Sequence, residues 1–273
     1  MALTLKAVPA SRGTRWIVEA FRVFGRRPLG FTALFGVFLF AAMLVSLVPV
    51  LGGLVQMMSL PLLSLGFMIA AQSALLDGPV TPRQFIEPLQ GDATRRAALL
   101  KLCVLYGVLA VVVLLSADAV SGHAWGRLQE LIAKGGEGAP SQIDALLSEP
   151  RVSVGTALAL VLGSALSVPF WHAPALVHWG GQTAGQALFS SALAVWRCKG
   201  AFAMYMLGWV GLILMFGLAT ALVLGLLGMA QLAGLMGIPA GLVFSAVFYI
   251  SLLFTFNDSF GPAAPAAEPA ATP

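Results

Sequence analysis

Two histidines in the stretch "LSVPFWHAPALVHWGGQ", His172 and His178, are the residues of this chain best suited to metal or proton chemistry. Imidazole is a common metal ligand and titrates near neutral pH. They sit among Trp171, Trp179, Pro169 and Pro174 in an otherwise apolar run. Six residues apart, they point about 240° away from each other on a helix, whereas chelation from one helix needs a spacing of three or four. They do not share a ligand face. Pro174 removes the amide that the carbonyl of Phe170 would use, and in a bilayer such a carbonyl must be satisfied by a neighbour or by water. Two readings follow: a polar pocket near His172, or a proline-bent helix end whose tryptophans sit at the lipid–water interface.

Other chemistry is sparse. The sequence has no G-x-S-x-G, H-E-x-x-H, Walker or CxxC pattern, and "GGEGAPS" lacks the strand context and the lysine of a phosphate loop. His123 with Asp118, Glu130 and Glu137 offers ligands for a cation, but acids scattered along a solvated helix are the commoner meaning. No catalytic residue, cofactor or metal ligand is assigned, and the chain is expected not to be an enzyme. Neutral polar groups do occur in apolar surroundings: Gln56, Ser59, Ser64, Gln72 and Ser73, then Ser164 and Ser167, then Ser245, Tyr249, Ser251 and Thr255. Hydrogen bonding between helices is their expected role. Asp77 and Asp258 close apolar runs, either at a common vestibule or as solvated ends. Together His172, His178, Gln72, Asp77 and Asp258 form the candidate polar pocket.

The elements that must position these residues are membrane helices. Apolar residues make up 59% of the chain and charged residues 10%, against about 45–50% and about 25% in ordinary soluble domains. A hydrocarbon core about 30 Å thick needs about 20 apolar helical residues to cross it. Six runs qualify: Leu29 to Val48, Leu54 to Leu76, Ala97 to Ala117, Ser153 to Val177, Ala201 to Leu224 and Leu235 to Phe256. They are too long and too continuously apolar for barrel strands. The expected fold is therefore all-α and polytopic, with six transmembrane helices as three hairpins, and the first run is expected to stay as an anchor. An ionised side chain at mid-bilayer costs roughly 3 kcal/mol and is kept mostly for a use. The centres of the six runs carry none.

Lysine and arginine set the expected orientation. Lys6, Arg12, Arg15, Arg22, Arg26 and Arg27 precede the first run; Arg83, Arg95, Arg96 and Lys101 fall between the second and third; Arg197 and Lys199 precede the fifth. The other side has Arg127, Lys134 and Arg151. The positive-inside rule then puts both termini in the cytoplasm of a bacterial inner membrane. The net charge of +4 needs no nucleic-acid partner, because the basic groups face anionic lipid headgroups. Arg15, Arg22, Arg26, Arg27, Arg197 and Lys199 are the expected membrane-surface residues. Cys103 and Cys198 fall on the cytoplasmic side and are expected to be free thiols.

Residues 1–28 read as a basic amphipathic segment, "RWIVEAFRVFGRRP" placing arginines at the headgroups and aromatics in the lipid boundary. Related segments, "TPRQFIEPLQGDATRR" and "GQALFSSALAVWRCKG", precede the third and fifth runs. Gly36, Gly107 and Gly208 then fall in register, and Pro61, Pro169 and Pro239 mark the returning helices. This suggests three copies of one unit, an interfacial helix followed by a hairpin. The transmembrane domain covers 29–256 and encloses a small extracytoplasmic helical cap at 118–152, in which "AWGRLQELIAK" suits a helix and Ser141 with Asp144 resembles a capping box. Residues 257–273 end in "GPAAPAAEPAATP" and read as a disordered tail. The last hairpin is rich in glycine, and the GxxxG of Gly237 and Gly241 suggests tight helix contact, or less simply a broken helix lining a substrate path.

The six-run layout and the phrases "EAFRVFGRRP" and "HAPALV" resemble a family of six-span proteobacterial inner-membrane proteins. More remotely they look like the membrane portion of glycerophosphodiester phosphodiesterase-type proteins, without the soluble phosphodiesterase domain. The resemblance spans about residues 10 to 260 and implies no functional residue. The leading expectation is a non-enzymatic membrane protein that packs with lipid or with other membrane subunits, no cofactor being implied. The alternative is a transporter or flippase-like carrier of an apolar or amphiphilic solute, resting on the prolines of the returning helices and the polar groups near them.

Overall fold

The computed structural model of the protein describes residues 3–48, 51–136 and 138–262. Its elements run β1 (Leu3–Leu5), α1 (Arg12–Arg26), α2 (Pro28–Ser46), α3 (Leu51–Leu75), α4 (Arg83–Ile86), α5 (Ala93–Val120), α6 (Ala124–Lys134), α7 (Ala139–Leu147), α8 (Pro150–Phe170), α9 (Ala173–His178), α10 (Ala184–Arg197), α11 (Lys199–Leu226), α12 (Ala233–Ser259) and β2 (Phe260–Pro262). Among the described residues six helices are long and apolar enough to cross a membrane: α2, α3, α5, α8 continued by α9, α11 and α12. Their bounds fall within a few residues of the apolar runs.

Local chemistry starts and stops these helices where it should. Pro28 and Pro150 open α2 and α8 at positions whose amides have no partner anyway. The Asp92 carboxylate accepts the amides of Thr94 and Arg95, both at 3.1 Å, and so caps α5. Thr183 and Gln186 form a reciprocal capping box at the start of α10. The box expected at Ser141 and Asp144 does not form. With Pro140 in its first turn, α7 begins at Ala139, and the Ser141 hydroxyl donates instead to the Gly138 carbonyl at 2.9 Å. The cap helix over Ala124–Lys134 forms as expected and ends at Gly135 and Gly136, both with positive φ.

The first and last described residues lie at one end of the bundle, where β1 and β2 pair antiparallel, Leu3 opposite Pro262 and Leu5 opposite Phe260. Residues 260–262, placed by sequence in the tail, are therefore ordered by a partner distant in the chain; the rest of that tail, 263–273, lies outside the described residues, as do Met1 and Ala2. The core collects at this terminal end. Buried side chains come from the first turns of α2 (Phe31, Leu34), the last turns of α3 (Leu65, Phe67), the first half of α5 (Leu99, Leu102), the first turns of α11 (Phe202, Tyr205) and the last turns of α12 (Ile250, Leu253). Toward the opposite, cap end the same helices expose Leu44, Leu51, Leu115, Leu214, Leu226 and Leu235.

The three-copy pattern is uneven in the structure. In the first two pairs, α2 with α3 and α5 with α8, the helices lie along one another, while α11 and α12 meet mainly through large side chains, Tyr205 with Ser251, Trp209 with Phe248 and Phe216 with Phe244. Helix α1 packs against both α11 and α12. Its apolar face, expected in the lipid boundary, is buried in protein at Trp16, Ile17, Ala20 and Val23. Close approach explains the docking: a Cβ on Gly13 would run into the Ala201 carbonyl, and one on Gly208 would come within 2.8 Å of the Ile17 Cδ1. The copy before α11 does form a helix, α10, with Phe189 and Trp196 exposed. The copy before α5 is reduced to the four residues of α4 and a 3₁₀ turn at Glu87–Leu89.

Candidate functional site

At the terminal end a polar clasp ties α1 to α12. Arg12 donates to Asp258 from its Nε at 2.6 Å and to Glu19 at 3.0 Å, and the Trp16 indole N–H donates to the same Asp258 oxygen at 2.7 Å. The hydrogen bond to Asp258, with the charges of Asp258 and Glu19, raises the Arg12 pKa further, so its charge is fixed. Beside the clasp, Lys6 donates its amide to the Ser259 carbonyl at 2.9 Å. Cys198 and Cys103 are buried free thiols.

The fourth span breaks between α8 and α9, at Trp171 and His172, between Pro169 and Pro174. Ser191 of α10 closes the break. Its hydroxyl donates to the Val168 carbonyl at 3.1 Å and accepts the His172 amide at 2.9 Å, standing between two backbone groups that would pair directly in an unbroken helix; the Val168 carbonyl also accepts the Trp171 amide at 3.4 Å. The His172 side chain is fully buried among Phe202, Phe256 and Phe260, and neither ring nitrogen has a partner among the described residues. Trp171 donates to Thr255 at 3.2 Å.

The candidate polar residues occupy separate places. His178 is partly buried beside Trp179 and gives its carbonyl to Arg95 at 3.4 Å. Gln72 is exposed; Asp77, with φ 58°, ends the turn after α3 and its carbonyl accepts from Arg27 at 2.8 Å; Asp258 belongs to the clasp. No hydrogen bond, ion pair or ring contact among the described residues joins any two of His172, His178, Gln72, Asp77 and Asp258. Arg15, Arg22, Arg26, Arg27, Arg197 and Lys199 are all exposed at the terminal end, Lys199 lying 5.3 Å from the centre of the Trp196 ring. In the cap, His123 and Asp118 pair at 2.9 Å and Lys134 meets Glu130 at 3.5 Å, while Glu137 lies outside the described residues. Among the described residues nothing lies within 4 Å of where a Cβ on Gly237 or Gly241 would stand, so the GxxxG makes no tight contact with them.

What the structure does assemble is a half-open cleft of about 140 Å³ halfway along the spans, where the dense end meets the open one. Its walls are Pro61 and Ser64 of α3, Tyr106 of α5, Ser167 and Trp171 at the end of the fourth span, and Tyr249 with Leu252 of α12. No wall residue is ionised at neutral pH. The two serines donate to carbonyls of their own helices, Ser64 to Pro61 and Ser167 to Ser164, both at 2.8 Å. The tyrosine rings are fixed by their neighbours: Tyr106 packs edge-on against Phe170 at 5.0 Å, and Tyr249 lies against Phe67 at 5.5 Å. Their hydroxyls have no hydrogen-bond partner among the described residues. The third tyrosine, Tyr205, does have one, Ser251 at 2.6 Å. Sequence reasoning singled out Ser64, Ser167 and Tyr249 but missed Tyr106 and Ser191. The available signal was that all three tyrosines of the chain fall inside apolar runs, away from the interface where such rings usually sit.

Among known proteins, the chain is 32% identical over 268 residues to a probable inner membrane protein of Burkholderia thailandensis, covering 97% of both chains. No family model matches the chain. No solved structure matches it.

Proposed function

This chain belongs to the family of that Burkholderia thailandensis inner-membrane protein, and we propose that it is a non-enzymatic packing protein whose open half is filled by lipid acyl chains. That it is a multi-pass inner-membrane protein follows from its six spans and its relative. The observation that carries the finer reading is the uncovered, apolar cap-end half of α11. There Ile213, Leu214, Met215, Leu218 and Leu222 are exposed, and Gly211, Gly217 and Gly225 have no neighbour within 4 Å. Water would not tolerate such a surface, whereas acyl chains cover it at little cost. In this reading the positive-inside rule puts both termini in the cytoplasm, where the exposed arginines of α1 and α10 would meet anionic headgroups.

A second reading, a carrier of an amphiphilic solute, is favoured by the cleft, which Pro61 lines and Pro169 adjoins. One reconstitution separates the two. In vesicles of phospholipid with brominated acyl chains, a tryptophan introduced as Leu214→Trp is expected to be strongly quenched. A fluorescent phospholipid is expected to cross the bilayer no faster than in vesicles without protein. Faster crossing overturns the packing reading in favour of the carrier, and an unquenched Leu214→Trp shows that protein, not lipid, covers the open half.

A further inference from the structure

We infer that the mid-span cleft is a binding site for a neutral lipid through a carbonyl group, the tyrosines Tyr106 and Tyr249 supplying the hydrogen bonds. The inference goes beyond both readings above and rests on neither, because a resident lipid requires neither transport nor an open half. A phenol hydroxyl in a bilayer interior has no water to donate to, and buried ones are almost always paired. Tyr205 obeys this rule through Ser251. Tyr106 and Tyr249 face the cleft on two different helices, α5 and α12, with hydroxyls that nothing in the described chain accepts.

The rings cannot easily turn away to find partners. Tyr249 is held by Phe35, Phe67 and Phe248 and Tyr106 by Phe170. The chemistry missing from the cleft is therefore an acceptor. Ser64 and Ser167 each donate to their own helix and keep lone pairs that could accept, but no hydrogen bond from either tyrosine reaches them among the described residues. Trp171, also a donor, is already paired with Thr255.

Charge and size narrow the ligand. With no ionisable side chain in the walls except the two phenols, an anionic or cationic group would be left without a counter-charge, so the group entering the cleft is neutral. About 140 Å³ is close to the roughly 150 Å³ of a cavity that accepts one benzene ring. It admits an ester and the first carbons of an acyl chain, or one quinone ring, and no whole phospholipid. The shared chemistry is a carbonyl acceptor on an apolar body, and both glycerolipid esters and quinones carry it.

The test is photo-crosslinking of the full chain in lipid discs, with the labelled peptides located by mass spectrometry. Three probes are used: a diacylglycerol with a diazirine on its acyl chain, the dialkyl ether analogue lacking both carbonyls, and a diazirine-tagged prenylated benzoquinone. Either carbonyl probe is expected to label peptides containing Tyr106, Trp171 or Tyr249. Which of the two labels more strongly identifies the source. The ether probe should label these peptides about tenfold less, and the double variant Tyr106→Phe/Tyr249→Phe should lose about the same from the carbonyl probe, as expected for two lost hydrogen bonds. Ser167→Phe, which fills the cleft, should abolish labelling there while labelling of α11 persists and serves as the control for folding. Equal labelling by ester, quinone and ether probes, or labelling unchanged in the tyrosine double variant, overturns the inference. So does labelling confined to α11, an outcome that leaves the packing reading intact.

Discussion

At the terminal end of the bundle, Trp16, Phe31, Phe67, Tyr205 and Ile250 interlock with almost no exposed surface, and polar groups are paired across helices by the clasp and by Ser191. At the cap end the same helices carry equally apolar side chains and leave them open. Composition does not distinguish the two ends. In water both would collapse, because burial of either surface is favourable by about 25 cal/mol per Å². In lipid that drive is gone, and helices hold together only where close packing and hydrogen bonds are specific. The terminal end has both: glycine contacts at Gly13 and Gly208, stacked aromatics, and interhelical hydrogen bonds. At the cap end close contact survives only locally, as where Gly155 of α8 meets the Ala117 carbonyl of α5, and around α11 the apolar residues stand alone.

The largest test of this contrast is a pair of truncations. Trp16 is 0% exposed and Leu214 is 65% exposed. Trp16→Ala leaves a cavity between α1 and α11 and removes a donor from Asp258, and should lower stability by about 3–5 kcal/mol. Leu214→Ala should change it by less than about 0.5 kcal/mol. The buried thiols of Cys103 and Cys198 report unfolding directly. A thiol-reactive dye followed during heating in detergent should show an early transition for the first variant and none for the second. Comparable losses would mean that the open half is packed against something after all.

Ser191→Ala is the intermediate case. It removes one hydroxyl, leaves the His172 amide without its partner, and takes from the Val168 carbonyl the shorter of its two hydrogen bonds, that of the Trp171 amide at 3.4 Å remaining. A loss of about 1–3 kcal/mol is expected in the same assay, since a buried group left unpaired costs more than its hydrogen bond contributed. Ser191→Thr keeps the hydroxyl and should recover most of it. Equal behaviour of the two variants would show that water can bridge the bend.

How legible all this was in the sequence follows the same division. Six spans could be read because length and hydropathy are properties of each run by itself, and the bend at Trp171–His172 because Pro169 and Pro174 announce it. The partner of α1 could not, because a helix with Arg15, Arg22 and Arg26 on one face and Trp16, Ala20 and Val23 on the other looks the same whether the second face meets lipid or protein. The only hint was Gly13, small enough to admit the backbone of α11. The pairing of Leu3–Leu5 with Phe260–Pro262 was equally hidden, being set by residues at opposite ends of the chain. Of the cleft, Ser64, Ser167 and Tyr249 were noticed one by one as polar residues in spans. That they and Tyr106 converge depends on how α3, α5, α8 and α12 are arranged, which no single run encodes.

The smallest effect is expected in the cap, which lies beyond the open half and outside the spans. Arg127 holds Glu149 by two hydrogen bonds of 2.9 Å each, tying the start of α6 to the start of α8. Both side chains are well exposed, so the pair adds little to overall stability and should act only locally. The hydrogen bond from Arg127, helped by its charge, holds the Glu149 carboxyl below its ordinary value of 4.5. A depressed carboxyl pKa contributes stability that is present above the unfolded value and disappears as pH falls through the folded one. Amide hydrogen exchange in α6 should therefore be slower in the wild-type protein than in Arg127→Gln near neutral pH. The difference should close as the pH is taken below the ordinary glutamate range. Exchange in the terminal half should not respond to the variant at any pH, because no recorded contact of the pair reaches it. A difference that persists in acid would show that Arg127 acts through its bond to the Ser121 carbonyl at 3.4 Å, and not through Glu149.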